Sequence, residues 1–229
     1  MRILAIDTAT QMCGVALLED GHVLVELRMS QGQTHAKSLL EGIRCVLEMA
    51  RLDMKALDAF AVTQGPGSFT GLRIGISTVK GFALATGKPL VGISALAALA
   101  WQAPEGAAWV CPMIDARRSQ IYWSLYHRQG TGLVRILAEQ VGAPLDVTHH
   151  VDGPCLCIGN GADAYEAFLR QHLPFGMLGA GPGLNAISPA AVARLAWQRL
   201  QQGGREDVHR FAPVYLRKSD AQTGDLIKA

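Results

Sequence analysis

The feature that most restricts the fold of this 229-residue chain is a succession of elements that occurs twice. The first unit combines apolar strand-like runs with two segments of helical periodicity. Its predicted strands cover 2–8, 12–18, 23–29 and 58–63, and its predicted helices cover 33–51 and 70–87. The second unit has predicted strands at 108–115, 120–128, 133–139 and 155–158 and predicted helices at 162–172 and 189–202. A period of about one hundred residues therefore predicts an α/β protein of duplicated βββαβα units.

The turn-forming cluster Pro104-Glu105-Gly106 separates the two units. We expect an N-terminal subdomain at residues 1–103, a C-terminal subdomain at residues 104–217 and a polar tail at 218–229. Hydrophobic residues make up 49% of the chain, which is enough for a substantial core, whereas charged residues make up only 17%. The low charge predicts that a partner covers part of the surface.

Composition also excludes several classes of protein. A net charge of +2 is too small to indicate nucleic-acid or membrane binding by itself. No apolar run approaches the ~20 residues that span a bilayer, and the chain reaches Asp7 too early for a signal peptide. Five cysteines without a framework spacing suit a reducing compartment. We therefore expect a cytoplasmic protein without a membrane segment.

A glycine-rich segment, Gly65-Pro66-Gly67-Ser68-Phe69-Thr70-Gly71-Leu72-Arg73, connects the strand at 58–63 with the next helix. Glycine gives the backbone freedom, proline fixes φ, and the serine is a candidate N-cap. Backbone N–H groups in such a turn can receive an anion. An ordinary strand-to-helix connection explains the same residues. The spacing alone leaves both interpretations open.

The helix at 33–51 has three faces. Its apolar stripe, which has the spacing of a core-facing helix, consists of Ala36, Leu39, Leu40, Ile43, Val46, Leu47 and Ala50. Charged residues occupy a second face. The third face is small or soft and has no fixed charge; it consists of His35, Ser38, Gly42, Cys45 and Met49. Such a face indicates that something covers the helix, either a partner or the rest of its own domain.

The helix at 70–87 has only two charged residues, Arg73 and Lys80. Gly71 and Gly75 near its start predict close packing of the backbone. The candidate interface on this helix consists of Thr70, Gly71, Ile74, Gly75, Thr78 and Phe82. Two consecutive helices with uncharged faces of small residues suggest a shared helical interface.

Asp7 and Asp115 end equivalent strands of the two units. Two carboxylates that face each other across a cleft could hold a metal–phosphate group, with added hydroxyls from Thr8 and Thr10. Alternatively, each aspartate caps a turn. The sequence contains neither a Walker loop nor a Gly-x-Ser-x-Gly elbow, and we predict no catalytic residue.

Five motifs make the chain resemble the bacterial TsaB (YeaZ) family along its whole length. They are Ile6-Asp7-Thr8-Ala9-Thr10, Thr34-His35-Ala36, the segment from Gln64 to Gly75, Asp115-Ala116-Arg117 and Pro213-x-Tyr215-Leu216-Arg217. The resemblance implies the acetate and sugar kinase/Hsp70/actin (ASKHA) fold, which is ribonuclease H-like. It also implies a cytoplasmic protein that is needed for N6-threonylcarbamoyladenosine (t6A) at position 37 of tRNA.

The resemblance further implies that the chain is not itself an enzyme. In this family the subunit binds and stabilises a homologous catalytic subunit, TsaD, through the first two helices of each partner, which form a four-helix bundle. A small ATPase, TsaE, joins them, and tRNA is reached indirectly through the complex. Without its partner, the chain is expected to form a homodimer through the same patch. The resemblance thus assigns the two uncharged faces to partner binding.

Departures from the enzymatic members of this fold point the same way. Their metal-binding His-x-x-x-His pair is reduced here to His35, because Leu39 occupies the second position. No metal site is therefore predicted. The bulky Arg117 stands where small residues let a phosphate approach. We expect no cofactor in the isolated chain, ATP and Mg²⁺ only through partners, and a vestigial phosphate site at Asp7, Thr8, Thr10 and Asp115.

Two alternatives remain. An active enzyme of the same fold would be an ATP-dependent phosphotransferase or a peptidase, and the departures at Leu39 and Arg117 count against it. An RNA-binding module would need clustered basic residues. The sequence offers the pair Arg117-Arg118, for which a solvated turn is the simpler explanation, and then Arg217-Lys218 in the tail.

Overall fold

The computed structural model describes residues 1–30, 35–130, 132–181 and 183–217, without the side chains of residues 35 and 36. The first half consists of β1 (Arg2–Asp7), β2 (Cys13–Glu19), β3 (His22–Met29), α1 (His35–Ala50), β4 (Ala59–Gly65), α2 (Phe69–Thr86), β5 (Leu90–Ser94) and α3 (Ala95–Trp101). The second half consists of β6 (Trp109–Arg117), β7 (Gln120–Gln129), β8 (Gly132–Gly142), β9 (Cys155–Ile158), α4 (Asn160–Ala164), α5 (Glu166–His172), β10 (Met177–Gly179) and α6 (Pro189–Gln201). The predicted tail at 218–229 and the predicted start of the first helix at 33–34 lie outside the described residues.

Each half builds its own five-stranded sheet, and the two sheets have the same strand order. The strand order β3-β2-β1-β4-β5 of the first sheet recurs as β8-β7-β6-β9-β10 in the second. In each half the first strand pairs antiparallel with the second and parallel with the fourth. The predicted duplication of βββαβα units is therefore confirmed.

The second half differs from the prediction in three details. β10 is absent from the predicted elements, because three residues are too short to show an alternating pattern. The helix predicted at 162–172 is two helices, α4 and α5. Tyr165, with φ −118° and ψ 18°, interrupts the helical backbone between them. A short 3-10 helix, Pro144–His149, stands where α1 stands in the first half.

Three hydrophobic clusters show how the layers stack. α1 and α2 cover the outer face of the first sheet. Phe60 of β4 and Val79 of α2 are among the residues buried between the sheet and these helices. α3 and α6 lie between the two sheets. The 3-10 helix Pro144–His149 and α5 cover the outer face of the second sheet. Because the first sheet carries helices on both faces, α1 and α2 form one outer surface of the protein.

The end of the second half packs on the first half. α6 lies against β1 and β2. Its first residue, Pro189, comes so close to β2 that a Cβ on Gly14 would stand 2.9 Å from Pro189 Cγ. Farther along, Phe211 is buried in the cluster beneath α1 and α2. The division into 1–103 and 104–217 stays a prediction, and the packing joins α6 and the following segment to the first sheet.

Two carboxylates join the halves at the N-termini of the central helices. Ser188, the N-cap of α6, donates its hydroxyl to Glu26 of β3 at 2.6 Å, and Arg28 Nε donates to the same oxygen at 3.1 Å. Ser94, the N-cap of α3, likewise donates to Glu139 of β8. Burial raises the pKa of Glu26, but the hydrogen bonds from Ser188 and Arg28 outweigh burial and lower this pKa overall. These two hydrogen bonds thus link the halves through corresponding elements.

Replacing Glu26 by glutamine should weaken this junction. We expect the free energy of unfolding at neutral pH to fall by about 1 kcal/mol, since a charge-assisted hydrogen bond is lost. Because folding lowers the pKa of Glu26, its contribution is present above the ordinary pKa of glutamate and disappears as the pH falls through the lowered value. Denaturant unfolding at neutral and acidic pH measures both effects. Glu105→Gln, at an exposed loop position, is the control; equal changes in the two variants would contradict the expectation.

Candidate functional site

The core stripe of α1 is narrower than the spacing predicts. Leu39, Ile43 and Val46 are buried against the first sheet. Leu40, which belongs to the predicted stripe, is 56% exposed. The prediction for Leu40 is wrong. The sheet contacts the side of the helix that carries Leu39, Ile43 and Val46, and Leu40 lies off that side.

The third face of α1 turns partly inward. A Cβ on Gly42 would stand 2.6 Å from Met29 Cε, so this glycine packs against β3. Gly42 is therefore corrected from a partner contact to a contact within the domain, because Met29 already covers it. The side chain of His35 lies outside the described residues. The remaining members of this face are half-buried or exposed: Ser38, Cys45 and Met49, of which the last is 65% exposed.

The two glycines at the start of α2 let the helix lie directly on the end of β1. A Cβ on Gly71 would overlap the carbonyl oxygen of Thr8, and a Cβ on Gly75 would overlap Thr8 Oγ1. Thr8 Oγ1 also donates a hydrogen bond to Gly71 O at 2.8 Å. The predicted close packing is present, but it joins α2 to the same chain. Because Thr8 covers Gly71 and Gly75, their assignment to a partner-facing surface is corrected.

A different face of α2 points outward. We call it the outer face of α2, and it consists of the uncharged residues Thr70, Ile74, Ser77, Gly81 and Leu84, all exposed except the half-buried Ile74. Their spacing alternates between three and four residues, as in a helix that packs along another helix. The nearby Lys80 turns its ammonium group away, to Phe211 O at 2.9 Å. The outer face of α2 is therefore an accessible, uncharged helix surface.

The predicted interface shares only part of this face. It contains Thr70 and Ile74 but omits Ser77, Gly81 and Leu84, although these residues continue an uncharged stripe opposite the core. The predicted Thr78 and Phe82 are half-buried on the flank of the helix. The hydroxyl of Thr78 donates to Ile74 O at 2.8 Å, and the ring of Phe82 lies 5.8 Å from that of Phe60 in the core.

The glycine-rich turn before α2 is a capped helix start. The Ser68 hydroxyl accepts a hydrogen bond from Gly71 N–H at 3.2 Å. Ser68 N–H itself donates to Ala9 O at 2.7 Å. Two of the N–H groups that an anion would need are therefore bound within the chain. These contacts favour the ordinary connection over an anion site.

Asp7 is fully buried at the end of β1. Its Oδ1 accepts hydrogen bonds from Ala9 N–H at 3.1 Å and from the Thr63 hydroxyl at 2.8 Å. Its Oδ2 has no hydrogen-bond partner among the described atoms. Burial raises the pKa of Asp7 to about 6, and the two hydrogen bonds and the charge of Arg28 oppose this rise. The bond to the residue two positions later is a turn-capping contact.

Asp115 caps the equivalent turn, since its carboxylate accepts from Arg117 N–H at 2.8 Å. A cleft of about 480 Å³ opens between the halves. It is lined by Thr10, Gln11, Met12, Ser30, Asn160, Asp163, Gly183, Asn185 and Ala186. Of the four residues predicted as a vestigial phosphate site, Thr10 is in this lining, whereas Asp7, Thr8 and Asp115 are not.

Asp7→Asn should change how stability depends on pH. Because folding raises the pKa of Asp7 from 3.8 to about 6, ionisation of this group costs folding free energy as the pH rises through this range. The difference between the pKa of Asp7 in the unfolded chain and its pKa in the folded chain corresponds to about 3 kcal/mol of folding free energy. We expect the variant to gain up to about 3 kcal/mol relative to the native chain between about pH 4 and pH 7.5, measured by denaturant unfolding. Asp152→Asn, at an exposed position, is the control. A constant difference across this range would contradict the assignment.

Two kinds of site are absent from the described part of the chain. No group of three or more His, Cys, Asp or Glu side chains among these residues is placed to hold a metal ion. Within the same residues, no helix has the length and apolar character to cross a membrane. The outer face of α2, with the exposed apolar residues of α1 on the same side of the sheet, is the candidate site that remains.

Comparison with known proteins gives the family. Residues 28–224 match the family described as "TsaD: tRNA N6-adenosine threonylcarbamoyltransferase". The "tRNA threonylcarbamoyladenosine biosynthesis protein TsaB" of Escherichia coli (strain K12) is 34% identical over 96% of this chain and 96% of its own length. The protein of the same name from Bacillus subtilis (strain 168) is 28% identical over 97% of this chain and 96% of its own.

Solved structures agree with this result. YeaZ from Pseudomonas aeruginosa has a TM-score of 0.81 at 32% identity, covering 94% of this chain and 99% of that one. Component A of (R)-2-hydroxyglutaryl-CoA dehydratase from Acidaminococcus fermentans has a TM-score of 0.55 at 12% identity, over 88% of this chain and 99% of that one, which shows a shared fold alone. The ASKHA fold is thereby confirmed. The chain belongs to the TsaB (YeaZ) family, whose role lies in the biosynthesis of t6A in tRNA.

Proposed function

We propose that this chain is a non-catalytic subunit that pairs with, and stabilises, the catalytic TsaD subunit during t6A formation at position 37 of tRNA. The supporting observation is the outer face of α2, which is exposed, uncharged and made of small or apolar residues. A helix face of this kind is typical of a surface that another helix covers. The family to which the chain belongs suggests which partner covers it.

The outer face of α2 suits close helix packing. Apart from Gly81, its chain neighbours and the backbone of its own helix, no described atom lies within 4 Å of the place where a Cβ on Gly81 would stand, so a partner's helix can approach the backbone there. Leu84 is 53% exposed, and its burial would contribute about 25 cal/mol per Å² of apolar surface. Helices that interdigitate in this way pack with their axes ~8–10 Å apart. The first two helices of each subunit would then form a four-helix bundle.

The cleft supports the absence of independent catalysis. Asp7 is sealed beneath the surface, and Asp115 is bound to the turn at Arg117. The described residues that line the cleft include no lysine or arginine that would balance a polyphosphate. We therefore assign no cofactor to the isolated chain. ATP and Mg²⁺ enter through partners, among them the ATPase TsaE, and tRNA through the complex in the cytoplasm.

We infer that two copies of the isolated chain pair through the same face. An apolar helix face without its partner can be covered by a second copy across a twofold axis. The homodimer and the pair with TsaD would both use the outer face of α2. The two assemblies would then exclude each other.

Gly81→Glu should block the pairing and leave the fold intact. The fold accepts the side chain because a Cβ at Gly81 meets open space. In the pair, the carboxylate would be buried without a partner, which costs about 3 kcal/mol and weakens binding roughly a hundredfold. Light scattering after size exclusion with TsaD measures the complex, circular dichroism checks the fold, and a reconstituted reaction measures t6A.

The matched control is Gly106→Glu, which adds the same side chain where a Cβ also meets no described atom, in the loop between the halves. We expect this control to bind TsaD and support t6A like the native chain. If Gly81→Glu also retained both properties, pairing through the outer face of α2 would be refuted. If the native chain bound TsaD but t6A formed equally well without it, the role as a required subunit would be refuted.

A further inference from the structure

The segment after Phe211 crosses the first half as a strap and ends at the second half. Val214 N–H donates to Gln64 O at 2.8 Å, at the end of β4. Three residues later, Arg217 Nη1 donates to Ala116 O at 2.8 Å, in the hairpin between β6 and β7. The strap therefore brings the start of α2 and the β6–β7 hairpin onto one continuous surface.

Aromatic rings and a guanidinium group are exposed at the α2 end of this surface. The rings of Phe69 and Tyr215 lie 4.9 Å apart and are inclined by 30°. The Arg73 guanidinium stands 3.7 Å from the centre of the Phe69 ring, and its Nε donates to the Tyr215 hydroxyl at 3.1 Å. Phe69 is 36% and Tyr215 39% exposed. Large rings held in place by an arginine yet open to solvent can stack with another flat group.

The other end carries the arginine-rich hairpin tip. Arg117, Arg118 and Ser119 all have left-handed backbone conformations, with φ of 62°, 55° and 57°, which makes the tip tight. The Arg117 side chain is 70% exposed and pairs with Asp115 at 3.5 Å. Arg217 of the strap also contacts the Gln120 side chain at 3.4 Å, just beyond the tip. The basic pair in the hairpin and Arg217 of the strap, which are far apart along the chain, are therefore neighbours.

We propose that this aromatic and arginine surface, consisting of Phe69, Arg73, Arg117, Arg118, Tyr215 and Arg217, binds RNA directly, so that the chain adds a contact of its own to the access to tRNA that the complex provides. The arginines would contact phosphates, and the two rings would stack on unpaired bases. An unpaired RNA loop presents phosphates and base faces side by side, so it suits arginines that lie next to exposed rings. The choice of tRNA as the test ligand rests on the proposed function, whereas the surface itself rests on these contacts.

The test is the binding of the isolated full chain to a fluorescein-labelled anticodon stem-loop RNA, followed by anisotropy over a series of salt concentrations. The triple variant Arg73→Gln, Arg117→Gln and Arg118→Gln should bind at least about tenfold more weakly. A plot of the logarithm of the binding constant against the logarithm of the salt concentration should also become less steep. Its slope should fall in magnitude by about two, since each of the three lost phosphate contacts accounts for roughly 0.7. The matched control Arg44→Gln, Arg205→Gln and Arg210→Gln removes the same charge from other exposed positions and should bind like the native chain.

A second pair of variants separates stacking from charge. Phe69→Leu and Tyr215→Leu keep an apolar side chain without a ring. We expect each variant to bind the loop about fivefold more weakly or worse, which matches the lower end of the usual contribution of one base–aromatic stack. Binding to a fully paired RNA duplex should not change. Circular dichroism of every variant confirms folding before the affinities are compared.

Three results would overturn the inference. Equal losses in the triple variant and its control would mean that only the overall charge matters. No measurable RNA binding by the native chain at low salt would exclude a direct contact. Normal RNA binding by the triple variant, together with loss of TsaD binding, would mean that the surface belongs to a protein partner. Gly81→Glu distinguishes this inference from the proposed function, because it should lose TsaD and retain RNA.

Discussion

The contact between Thr8 and the two glycines of α2 is the constraint on which the rest of the arrangement depends. A side chain at Gly71 or Gly75 would overlap Thr8, so only glycine lets the helix lie on the end of β1. This contact sets the rotation of α2 about its axis. It buries one side of the helix and turns the uncharged outer face, with Gly81, toward solvent. The same rotation places the start of α2 beside the C-terminal strap.

That constraint also supports the proposed docking role. Thr8 gives its hydroxyl to Gly71 O, and Ser68 N–H is bound to Ala9 O, so groups that could face a phosphate close the structure instead. Asp7 lies behind them, fully buried. The end of β1 has thus become a packing site for α2. The outer face of α2 and the strap beside it stay exposed, and they are the two surfaces that we propose as binding sites.

Much of this fold could be predicted because its signals are local. Strand alternation and helical periodicity revealed both units, and their equivalence followed from the repeated order. The spacing also grouped residues by helix face, but it does not say which face meets the chain's own sheet. That depends on Thr8 and Met29, which contact Gly75 and Gly42 from distant strands. The approach of Arg217 to the β6–β7 hairpin is equally non-local, and β10 is too short to show a pattern.

The most direct test of the docking role is amide hydrogen exchange of the full chain, alone as a monomer at low concentration and after addition of TsaD. Pairing through the outer face should slow exchange in the exposed part of α2 and in α1, because a bundle removes both helices from water. Exchange around Thr10 and Asn160, in the cleft, should stay unchanged. Slower exchange at the cleft, with α1 and α2 unaffected, would contradict the account.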